Sequence, residues 1–222
     1  MTFFLLLAAS LLLQEAPTEF LGTNDQPLSE KQLRSLESGD ALVALKEVKD
    51  SPIKKASAVA VFDASPEEIY AVLADQNRLS EFMPYCKKSK LQKREGDTVW
   101  VEFLLDFPWP IGDRYYTLEI TDSRSGAKGA EIIVSRWTYV AGSGNVNEVA
   151  GSWELIPYPD GRTFVRYTVL TDPGGKLPAW ARNQATRVAV PETINSLRQR
   201  VRDMRAGNVD PSPDLPEEPA QP

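Results

Sequence analysis

Hydrophobic and polar residues alternate along six consecutive segments in the middle of the chain. Alternation with a period of two is typical of β-strands that are buried on one face. Short turn sequences separate the segments, which span residues 87–93, 98–106, 114–122, 130–140, 146–157 and 162–170. Because strands joined by short connections pair with their neighbours in the chain, the pattern predicts an antiparallel meander.

The two faces of the predicted strands differ in polarity. In several strands one face is uniformly apolar, and the other face carries charged residues, among them Glu102, Glu119, Glu154 and Arg166. We therefore expect a sheet with one buried and one exposed face. The segment 130–140 is an exception, because both of its faces mix polar and apolar residues. The uniformly apolar faces consist of Val99, Val101, Phe103 and Leu105; Tyr116, Leu118 and Ile120; Val149, Gly151, Trp153 and Leu155; and Val165, Tyr167 and Val169.

Two further strands and two short helices are predicted before the meander. The strands are the segments ALVALKEV and KASAVAVFDA. Each helix begins with a capping box, in which an N-cap serine is followed three residues later by Gln or Glu. The pairs are Ser29 with Gln32 and Ser65 with Glu68, and the second helix is predicted over residues 66–75.

A long amphipathic helix is predicted near the C-terminus, over residues 176–206. At about 1.5 Å per residue it would run roughly 40 Å, which is enough to cross a sheet. We expect it to cover the apolar face of the meander, with a kink at Pro191. The residues that recur at helical spacing are Leu177, Trp180, Ala181, Gln184, Val188, Pro191, Ile194, Leu197, Val201 and Met204.

The two ends of the chain differ in composition from the middle. Residues 3–13 form a run of apolar or small residues that is too short to span a bilayer as a helix. We interpret residues 1–16 as a signal peptide, and the alternative is an uncleaved N-terminal membrane anchor. Residues 17–39 are expected to hold a spacer and a short helix, residues 40–206 the folded domain, and residues 207–222 a Pro-rich acidic disordered tail.

Composition excludes several kinds of catalysis. The 222-residue chain contains no histidine and a single cysteine, Cys86. Zinc sites, serine or cysteine nucleophiles paired with histidine, and intrachain disulfides are therefore excluded. Cys86 is expected to be a small buried hydrophobic residue. The net charge of −6 at pH 7 argues against a general nucleic-acid-binding protein.

The predicted C-terminal helix is basic, although the whole chain is acidic. It carries seven basic and two acidic residues. Arginines late in a helix interact favourably with its dipole, which is one interpretation of this charge. The alternative is transient contact with an anionic membrane surface.

The order of the predicted elements, with the segments PWPIGDRYY, GSWELIP and DPGGKLPAW, resembles the START-like branch of the SRPBCC superfamily over residues 40–205. The resemblance implies an α+β helix-grip fold, in which a curved antiparallel β-sheet wraps around a long C-terminal α-helix and encloses a hydrophobic cavity. It implies a non-catalytic protein that binds or transfers a lipid or other apolar small molecule. Polyketide cyclase/aromatase-like enzymes and quinone-binding proteins on the same fold are the alternatives. We expect a monomer without a cofactor.

Four residues on the apolar strand faces are candidates for ligand binding: Phe103, Leu118, Trp153 and Tyr167. Each either packs in the core or lines the cavity, and in a helix-grip protein these two roles overlap. Arg136, or Ser135 beside it, is the candidate polar group for a ligand headgroup, since binding pockets are mostly apolar with a few placed polar groups. The alternative for Arg136 is a solvated side chain.

Three candidates lie on the predicted C-terminal helix: Trp180, Gln184 and Val188. Gln184 interrupts the apolar stripe of this helix. A buried amide needs hydrogen-bond partners, so Gln184 bonds either a ligand or nearby backbone groups.

Trp109 lies between two prolines in the connection DFPWPIGDRYY. Each proline fixes its own φ angle at about −65° and favours extended backbone in the residue before it, so the loop is stiff. Trp109 then either forms the rim of the cavity or plugs the end of the core. Asp113 and Arg114 are expected to form a turn with an ion pair.

The apolar run at residues 3–13 predicts that the protein is exported, to the periplasm or the medium, and that the mature chain begins near Pro17. Mass spectrometry of the native protein should find this N-terminus outside the cytoplasm. An intact Met1 in the cytosolic fraction would contradict the prediction.

Overall fold

The computed structural model describes residues 20–49, 51, 53–177 and 179–209, and for residues 179–186 it describes the backbone only. The predicted signal peptide and most of the predicted tail lie outside the described residues. The elements are α1 (Glu30–Glu37), β1 (Ala41–Glu47), β2 (Lys54–Phe62), α2 (Pro66–Leu73), β3 (Cys86–Glu95), β4 (Thr98–Leu105), β5 (Arg114–Ser125), β6 (Ile132–Tyr139), β7 (Glu148–Tyr158), β8 (Arg162–Asp172) and α3 (Ala179–Arg205).

The strands form one curved antiparallel sheet in the order β1-β2-β8-β7-β6-β5-β4-β3. The predicted six-stranded meander is confirmed as β3 to β8, in which each strand pairs with its neighbour in the chain. Strand β2 pairs with β8, so the two N-terminal strands extend the meander at one edge.

The apolar strand faces meet on the concave side of the sheet, as predicted. Their residues belong to one hydrophobic cluster, to which α3 contributes Val190, Ile194, Leu197 and Val201. Helix α3 continues as one element through Pro191. It packs over β1 and β2 and against α2, so it covers one side of the concave face.

Both predicted capping boxes are confirmed. The Ser29 backbone NH donates to Oε1 of Gln32 at 3.0 Å, and the Ser65 backbone NH donates to Oε2 of Glu68 at 2.7 Å. These bonds satisfy backbone donors that have no partner within the helix. The second box fixes the start of α2, which leads into the segment that borders the concave face.

Three arginines in the second half of α3 interact with other side chains of the folded protein. Arg200 forms an ion pair with Glu81 at 2.6 Å, and Arg205 forms one with Glu68 at 3.3 Å. The Arg198 guanidinium lies 4.9 Å from the centre of the Phe62 ring. These three charges therefore have partners in the folded chain.

The convex face is less exposed than the sequence predicts. Phe20 packs against Tyr158 and Phe164, with ring centres 5.0 and 5.1 Å apart. Arg166 bridges Glu154 and the carbonyl of Leu21. The segment before α1, expected to be a spacer, thus covers part of this face together with α1. No helix in the described parts of the chain has the length and hydropathy of a membrane-spanning segment.

We expect Ile194→Ala to lower the free energy of unfolding by about 2–5 kcal/mol, because Ile194 is fully buried where α3 meets the sheet. Denaturant unfolding should show a lower midpoint with an unchanged m-value. The adjacent Asn195 is exposed, so Asn195→Ala is the control and should change stability by no more than about 0.5 kcal/mol. Equal effects of the two substitutions would contradict the packing described above.

Candidate ligand cavity

A cavity of about 200 Å³ lies between the concave face of the sheet, the middle of α3 and the segment that joins α2 to β3. It exists because these elements do not fully fill the space above β4 to β8. Its lining consists of Leu73, Gln76, Leu79, Met83, Pro84, Tyr85, Cys86, Phe103, Leu105, Phe107, Ile111, Tyr116, Leu118, Ile120, Ser135, Trp137, Val149, Trp153, Tyr167, Val169, Thr171, Pro173, Ala189, Val190 and Thr193.

Three aromatic rings form one wall of the cavity. The Tyr167 ring centre lies 4.1 Å from that of Trp153 and 5.9 Å from that of Trp137. A Cβ atom at Gly151 would lie 2.4 Å from Cζ2 of Trp137 and 2.3 Å from the carbonyl oxygen of Thr168. The glycine is therefore required for the Trp137 indole to lie against β7, and it shapes this wall.

The cavity extends to the end of the sheet where residues 106–113, the PWP loop, join β4 to β5. Phe107 and Ile111 of this loop contribute to the lining. The lining residues on the neighbouring segments, such as Pro84 and Ala189, are half-exposed, whereas Leu73 and Leu79 on the other side are buried. The exposure of these lining residues indicates that the cavity opens beside the PWP loop.

Trp109, at the tip of this loop, is 90% exposed. It does not plug the core, and it lies beside the cavity entrance without lining the interior. The loop is anchored on both sides of the tryptophan, by the packing of Phe107 and of the buried Ile111. The indole is thus presented to solvent by a stiff segment.

Tyr85, in the loop before β3, lies between the PWP loop and α3 at the cavity entrance. Its ring stacks on Phe107 with centres 5.0 Å apart. Burial and the nearby Glu192 carboxylate of α3 raise the pKa of Tyr85. Its φ angle of 62° is uncommon for a residue other than glycine. Tyr85 therefore contacts the PWP loop and lies close to Glu192 of α3.

Arg114 holds the base of the PWP loop through backbone carbonyls. Its Nε donates to the Pro173 oxygen at 2.6 Å, and its Nη1 donates to the Asp113 oxygen at 2.9 Å. The predicted ion pair between the Asp113 and Arg114 side chains is not formed in the described structure. The guanidinium instead ties the start of β5 to the connection between β8 and α3, because the carbonyls there lack strand partners.

Few polar groups face the cavity, and the described ones are uncharged. Burial raises the pKa of Tyr116 and of Tyr167 above the usual range of phenols. Burial also raises the pKa of Cys86 to about 11. All three groups are consequently protonated and neutral near pH 7. Gln76 and Ser135, both buried, are further polar residues of the described lining, as are Tyr85, Thr171 and Thr193.

The structure brings together four of the predicted residues in the cavity lining: Phe103, Leu118, Trp153 and Tyr167. Their function as ligand contacts stays a prediction. The side chains of Trp180 and Gln184 lie outside the described part of the chain.

Two predicted residues face away from the cavity. Arg136 is exposed, because Ser135 and Trp137 on either side of it point to the concave face. Val188 is 39% exposed, whereas its neighbours Ala189 and Val190 line the cavity. The helical periodicity of the sequence predicted Val188 on the buried face of α3, whereas the buried face begins one residue later, at Ala189.

Sequence reasoning missed the contribution of the segment between α2 and β3. Leu73, Gln76, Leu79 and Met83 form one side of the cavity. The apolar spacing of Leu79 and Met83 was a signal for a buried segment. Nothing in the local sequence shows that this segment crosses the concave face.

Residues 62–198 match the family described as "Polyketide cyclase / dehydrase and lipid transport". An uncharacterized protein of Pseudomonas aeruginosa is 31% identical over 161 residues, which cover 70% of this chain and 79% of that protein. The match to the family extends over more than half of the chain and includes all of the cavity residues named above.

Several solved structures share the fold. The STAR-related lipid transfer protein from Xanthomonas axonopodis has a TM-score of 0.65 and 25% identity, covering 73% of this chain and 93% of that one. Human StAR-related lipid transfer protein 5 has a TM-score of 0.62 and 13% identity, covering 75% and 84%. The Zhui aromatase/cyclase from a Streptomyces species has a TM-score of 0.53 and 17% identity, covering 71% and 99%. The last two similarities show the fold alone.

The family match and the helix across a curved sheet confirm the START-like resemblance. This chain belongs to the polyketide cyclase/dehydrase and lipid transport family of the SRPBCC superfamily.

Proposed function

We propose that the protein binds a small apolar molecule in the cavity and releases it unchanged, as a carrier that acts outside the cytoplasm. The observation that carries this proposal is the lining itself, which is apolar apart from a few neutral polar groups. Burial of apolar ligand surface provides roughly 25 cal/mol per Å². The described residues thus offer a source of affinity that needs no charged contact.

The size of the cavity favours a compact ligand. Its volume of about 200 Å³ lies below the range of roughly 300–1,000 Å³ that is usual for ligand pockets. A molecule with a single hydrocarbon chain or a small ring system suits this space better than a lipid with two acyl chains.

The chemistry of the titratable cavity groups supports binding over catalysis. A general acid or base works best with a pKa near the operating pH. Burial shifts the pKa of Cys86, Tyr116 and Tyr167 upward, away from neutrality. A polyketide cyclase would need another proton-transfer group, and the described lining contains no carboxylate or amine.

We expect Ala189→Trp to abolish ligand uptake, because the indole would project from α3 into the cavity and occupy it. Wild-type protein extracted with organic solvent should yield a co-purified apolar molecule by mass spectrometry, and the variant should yield none. The melting temperature shows whether the fold is retained.

Val188→Trp is the matched control, since it adds the same ring to the exposed neighbour. It should retain the ligand. If Ala189→Trp binds as well as wild type while folded, the cavity is not the binding site. If the wild-type protein converts the bound molecule into a product, the enzyme alternative replaces the carrier.

A carrier must exchange its ligand with a membrane or a partner, and we propose that the PWP loop contacts the membrane interface. Tryptophan favours the boundary between lipid and water, because its ring is apolar and its NH is polar. Trp109 is exposed at the entrance, and Lys176 and Arg187 are exposed near the same end of α3. The later arginines Arg200 and Arg205 are paired internally, so contact through the C-terminal half of the helix has less support.

We expect Trp109→Ala to weaken binding to phospholipid vesicles by at least about tenfold, corresponding to roughly 1.5 kcal/mol for an inserted apolar side chain. Vesicle sedimentation is the measurement, and cavity binding of a soluble dye should not change. Trp100→Ala removes a half-exposed tryptophan from the opposite end of β4 and should leave vesicle binding intact. Equal losses for the two variants would argue against a docking role of Trp109.

A further inference from the structure

The interior of the cavity lacks a charged partner for an ionic ligand. Among the described lining residues there is no Lys, Arg, Asp or Glu. Arg136, the residue expected to hold a headgroup, is exposed. Burying an ionised carboxylate or phosphate without a partner is strongly unfavourable. The interior therefore selects against an anionic group.

Two tyrosine hydroxyls in the cavity have no hydrogen-bond partner among the described residues. Tyr116 lies on β5 and Tyr167 on β8, two strands that are separated by β6 and β7. Both side chains line the same cavity, and the Tyr167 phenol is close enough to contribute to the raised pKa of Tyr116. Neither hydroxyl forms a hydrogen bond with the described residues, although buried tyrosine hydroxyls usually have a partner.

Gln76 provides a third polar group in the cavity that lacks a hydrogen-bond partner, its amide oxygen. Its side chain is only 5% exposed and lines the cavity. The Nε2 group donates to the Leu73 carbonyl at 3.1 Å, but the Oε1 atom has no hydrogen-bond partner. An amide oxygen accepts hydrogen bonds and cannot donate them. It needs a donor, and an ionised carboxylate would supply none.

We infer that the cavity takes a neutral apolar molecule with a hydroxyl group, and that the hydroxyl is held by Tyr116, Tyr167 or Gln76. A hydroxyl both donates and accepts, so it is the simplest group that suits the phenols as well as the amide oxygen. This inference rests on the proposed function, since it concerns the ligand class of the same cavity.

The test compares three probes with the same ten-carbon chain: decanol, decane and decanoate. Each displaces a neutral fluorescent dye from the wild-type protein and from the double variant Tyr116→Phe, Tyr167→Phe. The double variant should bind decanol about tenfold more weakly, as expected for the loss of one or two hydrogen bonds. Its affinity for decane should be unchanged, because the aromatic rings remain.

Gln76→Leu tests the amide separately and should also weaken decanol binding while sparing decane. Tyr115→Phe is the control, because Tyr115 is on the same strand as Tyr116 but is 52% exposed; it should change none of the affinities. Decanoate should bind weakly at neutral pH. Its affinity should rise as the pH falls, because protonation removes the charge that the cavity cannot pair.

The outcomes separate this inference from the proposed function. If the dye, decane and decanol all fail to bind, the carrier function itself is overturned, and the inference with it. If the dye binds but all substitutions affect decanol and decane equally, the polar groups are structural and the inference is wrong. Binding of decanoate at neutral pH as tightly as decanol would also overturn it.

Discussion

The constraint on which this structure depends is that one helix is too narrow to cover the concave face of the sheet. Eight strands at about 4.8 Å spacing span roughly 34 Å, whereas a helix with its side chains is about 10–12 Å wide. Helix α3 packs over β1 and β2 at one side. The segment between α2 and β3 covers part of the remainder, and the uncovered volume above the central strands is the cavity.

The same geometry explains the chemistry of the cavity. The lining strands contribute residues from their core-facing sides, so the space inherits the apolar character of a core. The polar side-chain groups of the described lining are neutral hydroxyl, thiol, indole and amide groups. Burial keeps the thiol of Cys86 and the phenols of Tyr116 and Tyr167 protonated. Charged residues such as Arg136 lie on alternate positions of the same strands and reach solvent. A binding site thus arises from incomplete packing, without ion pairs or a metal-binding arrangement in the described lining.

Particular residues show how far the sequence predicts this site. The alternation in β4, β5, β7 and β8 correctly placed Phe103, Leu118, Trp153 and Tyr167 on the concave side, because a period of two fixes the face of every residue once one is known. In β6 both faces are mixed, so the sequence left open whether Ser135 or Arg136 points inward. Only the pairing of Ser135 on β6 with Trp153 on the adjacent strand β7 settles it. In α3, Val188 was misplaced because an amphipathic stripe about 100° wide tolerates a shift of one residue.

The sequence by itself determined the strands, the capping boxes of the two short helices, the covering helix and the exclusion of histidine-based chemistry. These properties follow from local periodicity, hydrogen bonds over three residues and composition. Only the tertiary structure decided that the α2–β3 segment crosses the concave face, that residues before α1 cover the convex face, and that Trp109 points to solvent. These depend on contacts between residues far apart in the chain, and the volume left between such elements has no signature in any local stretch of sequence.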